Sequence, residues 1–266
     1  MALPDVFMFA KATRAHLYKK EIATIKKYGE KYKLTLHKSI RETGWEDDCE
    51  WLIIGKEKKE EPEKKSENNI SRARARIFEL AYCNPWSHFI TCTLDKKKYD
   101  RRDLGKFQRD LSRFIRNQRM KYSQNDLAYI LIPELHKDKE NWHMHGLVNG
   151  IRAEMLTEFI PGVHPQYLID QNYRNWPDYY KKFGFVSLGP LRIRDAACKY
   201  IVKYITKDSE LMVSRAGAHM FYASQGLESA KEIKRGTLLQ VPPAWEFEND
   251  YVKSIWINGD EINKYI

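Results

Sequence analysis

Two histidines two residues apart, His143 and His145, have a spacing that could do chemistry. They lie in WHMHGLVNGI (142–151), a run that favours a β-strand, and residues i and i+2 of a strand project from the same face. Adjacent imidazoles could hold one divalent cation, while Met144 between them would point into the opposite layer. The same spacing also occurs on ordinary half-exposed strands, so the pair alone leaves both interpretations open.

A carboxylate is expected across a short turn from the histidines. LAYILIPEL (127–135) predicts the preceding strand and HKDKEN (136–141) a polar turn, so the two strands form a hairpin with Glu134 near His143. Two imidazoles and one carboxylate with open coordination positions suit Mn²⁺ or Mg²⁺ bound to a phosphate, and also zinc. Glu134 could instead face solvent at its strand end, and His136 in the turn is either a rival ligand or a surface residue.

The segment KYIVKYITK (199–207) carries two tyrosines at helical spacing. It belongs to residues 193–209, which predict an amphipathic helix with one apolar stripe packed on the sheet. The stripe consists of Cys198, Ile201, Val202 and Ile205, and the opposite face of Tyr200, Lys203, Tyr204 and Lys207. A phenol can attack a phosphodiester to form a covalent phosphotyrosine, and a lysine one turn away can neutralise the phosphate. The alternative is an exposed helix face covered by aromatic and basic side chains.

The elements that must position these residues follow a regular order. In chain order they are the helix 71–82, the strand HFITCTLD (88–95), the helix 103–121, the hairpin, a short helix RAEMLTEFI (152–160), the strand FGFVSLGPL (183–191) and the tyrosine helix. This order predicts an α+β fold, one antiparallel sheet with helices packed against it, and favours the split β-α-β, ferredoxin-like topology.

The remaining chain is predicted to flank this core. Residues 1–70 form an N-terminal extension rich in β-structure, and KEKKEEPEKKSENN (56–69) within it predicts a solvated loop or disordered linker. Residues 71–210 form the core domain, and residues 211–266 form a C-terminal extension without an assigned role.

The charge favours a polyanionic partner, most plausibly nucleic acid. The 266 residues carry a formal net charge of +10, which allows phosphate neutralisation. Arg109 and Arg113, on a basic stripe of the helix 103–121, are candidate DNA-backbone contacts, and the stripe could equally be a solvated face. The same alternatives apply to Arg72, Arg74 and Arg76. Aromatic residues between 167 and 180 could stack unpaired bases or form a small satellite core.

Several classes of protein are excluded or disfavoured. The cysteines Cys49, Cys83, Cys92 and Cys198 form no CxxC pair, which predicts buried free thiols in a reducing cytoplasm. No secretory signal and no apolar run of about 18 residues is present, so an intracellular protein without a membrane partner is expected. No GxxxxGK[ST] motif is present, so any unwinding of DNA would need a separate protein.

Three ordered motifs resemble those of the HUH endonucleases, specifically the rolling-circle replication initiators of small bacteriophages and plasmids. FITCTLD (89–95) resembles the first motif, WHMHGLV (142–148) the histidine–hydrophobic–histidine motif, and YIVKY (200–204) the two-tyrosine motif. Glu134 stands nine residues before His143, where related initiators place a third metal-binding carboxylate. The order and spacing of the motifs together carry the resemblance.

The resemblance, over roughly residues 72–208, implies the HUH fold, with a five-stranded antiparallel sheet and flanking helices. It implies metal-dependent nicking of single-stranded origin DNA through a 5′-phosphotyrosine, and rejoining after replication. By position, Glu134, His143 and His145 would bind Mn²⁺ or Mg²⁺, Tyr200 and Tyr204 would alternate as nucleophiles, and Lys203 and Lys207 would contact phosphate. The implied setting is the cytoplasm of a bacterial host cell, with host helicase and polymerase as partners.

Two other functions are compatible with the sequence. A conjugative relaxase or a transposase of the same superfamily would share the chemistry, but relaxases usually carry the tyrosine ahead of the histidines, whereas Tyr200 and Tyr204 follow them. A non-catalytic nucleic-acid-binding module on a ferredoxin-like scaffold would explain the charge and the aromatic residues. Such a module gives no reason for a histidine pair combined with a tyrosine pair.

Overall fold

The structure is a computed structural model that describes residues 22–38, 62–123, 126–136, 138, 140–206, 219–249 and 252–266, with the backbone alone over 62–68. The chain divides into two compact units, one of residues 60–229 and the other of residues 1–59 together with 230–266. The unit of residues 60–229 contains the described histidine and tyrosine motifs.

The described elements are short strands and a smaller number of helices. The strands are β1 (Ile22–Tyr28), β2 (Lys31–His37), β3 (His88–Thr93), β4 (Ala128–Leu135), β5 (Trp142–Asn149), β6 (Thr157–Glu158), β7 (Arg174–Asn175), β8 (Val186–Pro190), β9 (Tyr222–Ala223), β10 (Lys231–Thr237), β11 (Phe247–Glu248) and β12 (Val252–Ile257). The α-helices are α1 (Pro62–Cys83), α2 (Leu104–Lys121), α3 (Gln166–Asp170), α4 (Pro177–Lys182), α5 (Arg194–Ile201) and α6 (Ile262–Tyr265). Turns of 3₁₀-helix span Ala153–Met155, Val202–Tyr204 and Gly259–Glu261.

The unit of residues 60–229 is built on one antiparallel sheet, here called the larger sheet. Among the described residues its order is β6-β7-β8-β3-β5-β4-β9, with antiparallel pairing throughout. The predicted α+β class with an antiparallel sheet is confirmed. The prediction of five strands was wrong for the described sheet, because β6, β7 and β9 are two residues long and too short to leave an alternating pattern.

One face of the larger sheet packs against α2. The helix begins after Asp103, whose side chain accepts a hydrogen bond from the backbone N–H of Lys106, a favourable N-cap. Its predicted apolar stripe is buried: Leu104, Phe107, Leu111, Phe114 and Ile115. These side chains join one core with Met144 of β5 and with Trp176 and Tyr179. The last two residues belong to the aromatic segment between 167 and 180, so this segment supplies the main core rather than a satellite core.

Two local predictions differ from the structure. The segment 152–160 contains the 3₁₀ turn Ala153–Met155 followed by β6, because a nine-residue helix is marginal in water and Thr157 instead pairs with Asn175. Within the segment 56–69, predicted to be a loop, the chain is helical from Pro62 onward, and residues 56–61 lie outside the described residues. Glutamate and lysine are good helix formers, and a proline is tolerated in the first helical turn.

The second unit is built from strands of both ends of the sequence. Among the described residues its sheet has the order β10-β1-β2-β12-β11. Its core contains Ile25, Leu34 and Ile257, together with Tyr265 and Ile266 at the end of the chain. The strand YKLTLH was predicted within β2, but pairing of β1 with β10 joins residues about 200 positions apart, which no local pattern indicates.

The cysteine prediction holds where it can be compared. Cys83, Cys92 and Cys198 are buried free thiols, and Cys49 lies outside the described residues. In the described part of the chain, no helix is both long and apolar enough to cross a membrane.

Candidate active site

The hairpin of β4 and β5 places the predicted metal ligands on one face of the larger sheet. Glu134 is the direct cross-strand partner of His143, and Ile132 is the partner of His145. Side chains of direct partners project from the same face, and residues two apart share that face. Met144, between the histidines, points the other way and is fully buried. The strand register thus gives the geometry that the i, i+2 spacing predicted.

Glu134, His143 and His145 form a half-buried cluster that could hold a metal ion. One ligand atom from each residue lies within 4.8 Å of the others. The Glu134 carboxylate oxygen Oε2 lies 2.7 Å from Nε2 of His145 and 3.6 Å from Nε2 of His143. Two nitrogen donors and one carboxylate oxygen can bind several divalent cations, and three protein ligands leave positions for substrate and water. The donor set therefore fits a catalytic metal, without fixing which metal it is.

The electrostatics of the cluster favour the forms that bind metal. Burial lowers the pKa of His143 to about 4, and the neighbouring His145 and His136 lower it further. His143 is therefore neutral at physiological pH, with a free lone pair. The hydrogen bond from His145 lowers the pKa of Glu134 below its usual range, so this side chain is a carboxylate. Neither residue needs to lose a proton before it can bind a cation near pH 7.

Thr91 of β3 fixes the orientation of His145. Its Oγ1 lies 3.1 Å from Nδ1 of His145, and the two residues are cross-strand partners. A hydroxyl can either donate to or accept from an imidazole nitrogen. Thr91 can therefore hold the ring in either tautomer, with Nε2 directed towards Glu134. This arrangement resembles the outer-shell hydrogen bonds that orient metal-binding histidines.

His136 lies next to the cluster without being part of it. Its ring stacks on that of His143 with 4.2 Å between centroids and 21° between planes. It is therefore neither an isolated surface residue nor one of the three clustered ligands. Its stacking restrains the His143 ring at the end of the hairpin.

The two tyrosines lie over the same face of the sheet as the cluster. The predicted helix is α-helical only to Ile201 and continues as the 3₁₀ turn Val202–Tyr204. Ile201 and Ile205 are fully buried, as predicted, whereas Tyr200 is 47% exposed. The Tyr204 ring stacks on that of His145, with 4.4 Å between centroids and 11° between planes. Its hydroxyl donates a hydrogen bond of 3.2 Å to the Tyr200 hydroxyl, so both phenols lie beside the cluster.

The two phenols differ in how easily they can lose a proton. Burial raises the pKa of Tyr204 well above its usual range, and the hydrogen bond to Tyr200 adds to this effect. Negative charge on the Tyr200 oxygen would be stabilised by the hydrogen bond that Tyr204 donates. The geometry therefore favours ionisation at Tyr200 over Tyr204.

Phe89 of β3 contacts both halves of the site. Its ring centroid lies 5.7 Å from that of Tyr200 and 6.2 Å from that of Tyr204. It also lies 6.1 Å from the ring centroid of His145. These separations are within the usual range for interacting aromatic pairs. Phe89 thus forms a shared floor that keeps the tyrosines close to the histidine.

Helix α1 anchors the tyrosine segment. Arg74 donates hydrogen bonds of 2.9 and 2.6 Å, from Nε and an NH2 nitrogen, to the carbonyl of Ile205. Arg194, at the start of α5, donates to the carbonyls of Tyr82 and Asn84 at 2.7 and 2.9 Å. Both ends of the tyrosine segment are therefore tied to α1 and the residues that follow it. Arg74, a candidate DNA contact in the sequence, instead satisfies a carbonyl at a helix end.

The other predicted site residues are distributed unevenly. Lys203 is exposed, with Nζ 5.5 Å from the ring centroid of Tyr200, so it lies beside the tyrosines. Lys207 lies outside the described residues. Arg109 and Arg113 lie on α2, which packs against the opposite face of the larger sheet, so they are not brought to the histidines.

Sequence reasoning missed three residues that position the site: Thr91, Phe89 and Arg74. The first two lie in FITCTLD, where strand alternation places Phe89, Thr91 and Thr93 on one face. That alternation could have identified them once β3 was paired with β5. No local signal indicates Arg74, because its partner lies 131 residues further along the chain.

Comparison with known proteins gives one match. Residues 87–209 match the model of a family of replication-associated proteins, described by its member ORF2. The matched segment is slightly less than half of the 266 residues and contains Glu134, both histidines and both tyrosines. It supports a replication-associated protein that binds DNA. No curated protein and no solved structure matches the chain.

Proposed function

We propose that this protein initiates rolling-circle replication by nicking one strand of origin DNA through a 5′-phosphotyrosine and rejoining it after replication. The carrying observation is the pair of hydroxyls of Tyr200 and Tyr204, 3.2 Å apart, beside a histidine–glutamate cluster. Two nucleophiles beside one metal-competent cluster suit two successive cleavages. The match to a replication-associated family supports a role in replication.

Glu134, His143 and His145 would hold the metal ion, and Mn²⁺ or Mg²⁺ is proposed because the partner is a phosphate. A divalent cation bound there would withdraw electron density from a phosphate oxygen and make the phosphorus more electrophilic. Thr91 and Glu134 keep the His145 ring in position. Lys203, exposed beside Tyr200, is proposed to contact the phosphate.

Tyr200 is proposed to cleave first because it is the more exposed phenol and accepts a hydrogen bond. Its oxygen forms a bond to the scissile phosphorus as the bond to the 3′ oxygen breaks, and the phenol proton passes to solvent. The 3′ oxygen takes a proton from water and becomes the free 3′-OH. Tyr204 cleaves the regenerated site in the same way, and the first 3′-OH then attacks a phosphotyrosine to rejoin the strand.

The test is a covalent adduct between protein and DNA. Single-stranded origin DNA is incubated with the protein and Mn²⁺, and the products are separated on a denaturing gel. An adduct is expected that disappears on chelation and in the Tyr200→Phe, Tyr204→Phe variant. Tyr200→Phe alone is expected to lower the initial rate of adduct formation more than Tyr204→Phe alone. An adduct in the double variant would show that the nucleophiles are wrongly assigned.

A second outcome would favour another function. If wild-type protein binds DNA but forms no adduct with any divalent cation, the non-catalytic binding module is the better explanation. Adduct formation without strand joining would restrict the proposal to the cleavage half of the reaction. Partners for unwinding and synthesis, a helicase and a polymerase of the host, are part of the proposal.

A further inference from the structure

A groove lined by arginines runs between α2 and the edge of the larger sheet. Its volume is about 610 Å³. Helix α2 contributes Arg109, Arg113, Arg116 and Arg119, while Tyr129 of β4 and Ser224, just after β9, lie across from them. No aspartate or glutamate is among the described residues that line it. The groove is therefore concave and carries positive charge on one wall.

The groove lies on the sheet face opposite to the histidine cluster. On β4, Ile132 pairs with His145 and so shares the cluster's face, whereas Tyr129, three residues away, projects from the other face. Tyr129 packs against the core that contains Phe114 and Met144, the core beneath α2. A ligand in this groove would be separated from the tyrosines by the thickness of the sheet.

The arginines are available to bind a ligand. Arg109 and Arg116 are exposed and form no ion pair or hydrogen bond within the part of the chain that the structure describes. Arg113 is 64% exposed and lies 3.9 Å from Asp110, too far for a hydrogen bond. Arg119 is held in place by its hydrogen bonds to the Leu127 carbonyl and to Ser224 Oγ. One fixed cation thus lies beside cations without a described partner.

The spacing of these cations suits a row of phosphates. Arg109 and Arg116 are seven residues apart on α2, which corresponds to about 10 Å along the helix axis. A DNA strand in B-form presents one phosphate per roughly 3.4 Å of axis, so this row matches about three phosphates. A solvated helix face would lack the second wall that Tyr129 and Ser224 provide.

We propose that this groove binds the phosphodiester backbone of a DNA segment that adjoins the segment being cut. The inference goes beyond the proposed function and requires only that DNA is the substrate. Because the groove and the cluster lie on opposite faces, the DNA would pass around an edge of the sheet. The bound segment can be a single strand or one strand of a duplex, since both present the same chemistry.

The test is the salt dependence of DNA binding, measured by fluorescence anisotropy in chelator so that no strand is cut. Wild-type protein is compared with Arg109→Gln, Arg116→Gln, which removes two cations without a described partner. The matched control is Arg152→Gln, Lys181→Gln, which removes two exposed cations outside the groove. A labelled single strand and a labelled duplex are each titrated at several salt concentrations.

The groove variant is expected to bind at least about tenfold more weakly at low salt, with a shallower dependence of log K on log salt. The slope should fall by about 1.4 if the groove holds a single strand, or about 1.8 if it holds a duplex. The control is expected to keep a slope close to wild type. An unchanged slope in the groove variant, or an equal fall in the control, overturns the proposal.

The chemistry is followed separately, so that the two proposals fail independently. At saturating DNA, the groove variant is expected to form the covalent adduct with the wild-type yield. If wild-type protein forms no adduct while the slope still falls only in the groove variant, the nicking proposal fails and the groove stands.

Discussion

The two faces of β5 show how one strand serves two purposes. On one face Met144 is fully buried in the core beneath α2. On the other, His143 and His145 are half-buried, and each contacts a partner on a neighbouring strand or on the tyrosine segment. The apolar face fixes the position of the strand, and the polar face uses that position to hold titratable groups at defined distances. Mutations on the two faces should therefore have separable effects.

Loss of both histidines tests the polar face and should have the largest effect. His143→Ala, His145→Ala is expected to lower the rate of adduct formation by more than about 100-fold, because even outer-shell partners of metal ligands contribute roughly 10–100-fold. The thermal unfolding midpoint of the metal-free protein is expected to change little. A variant that fails to fold would show that the two faces are not separable.

Truncation of Met144 tests the core face. Met144→Ala is expected to lower the free energy of unfolding by about 2–5 kcal/mol, because it leaves a cavity in a packed core. Urea denaturation measures the loss. At a temperature where the variant is folded, adduct formation should stay within a few-fold of wild type. A large loss of activity in the folded variant would contradict independent faces.

Removal of the Thr91 hydroxyl tests whether β3 contributes to the polar face. Thr91→Val is expected to weaken metal binding by about 10–100-fold, because the Nδ1 nitrogen of His145 loses its partner. Isothermal titration with Mn²⁺ measures the affinity. Thr93→Val, on the same face of β3, is the matched control and should bind metal as wild type does. Equal losses in both variants would point to a general disturbance of β3.

The smallest expected effect concerns His88, whose position on β3 is on the core face. Burial lowers its pKa below 6.5, so between the two pKa values the unfolded chain binds more protons than the folded protein. The free energy of unfolding should therefore fall as the pH decreases through 6.5. His88→Asn is expected to show a smaller fall between about pH 7.5 and 5.5, measured by chemical denaturation in chelator. An identical pH dependence in both proteins would remove His88 as a cause.

The sequence predicted the parts of the site that depend on local periodicity. Strand alternation places His143 and His145 together, the hairpin adds Glu134, and helical spacing separates the tyrosines from Ile201 and Ile205. These relations span at most about ten residues, over which regular backbone geometry determines direction. The end of α5 at Ile201 was missed because a 3₁₀ turn keeps nearly the same spacing as an α-helix.

The rest depends on contacts between distant residues. The hydrogen bond from Arg74 to the carbonyl of Ile205 and the contacts of Phe89 with both tyrosines join segments more than 100 residues apart. Edge strands as short as β9 are stabilised by their neighbours and have no signal of their own. Single-sequence patterns carry no information on such pairings.

The mixed origin of the second sheet has a practical consequence for shortened forms of the protein. A form that ends before residue 230 would lose β10 and β12, the two strands that flank the hairpin of β1 and β2. That hairpin would then have unpaired backbone groups along both edges and an uncovered apolar side, a combination that promotes aggregation. A soluble shortened form should therefore omit β1 and β2 as well, and retain residues 60–229 as one piece.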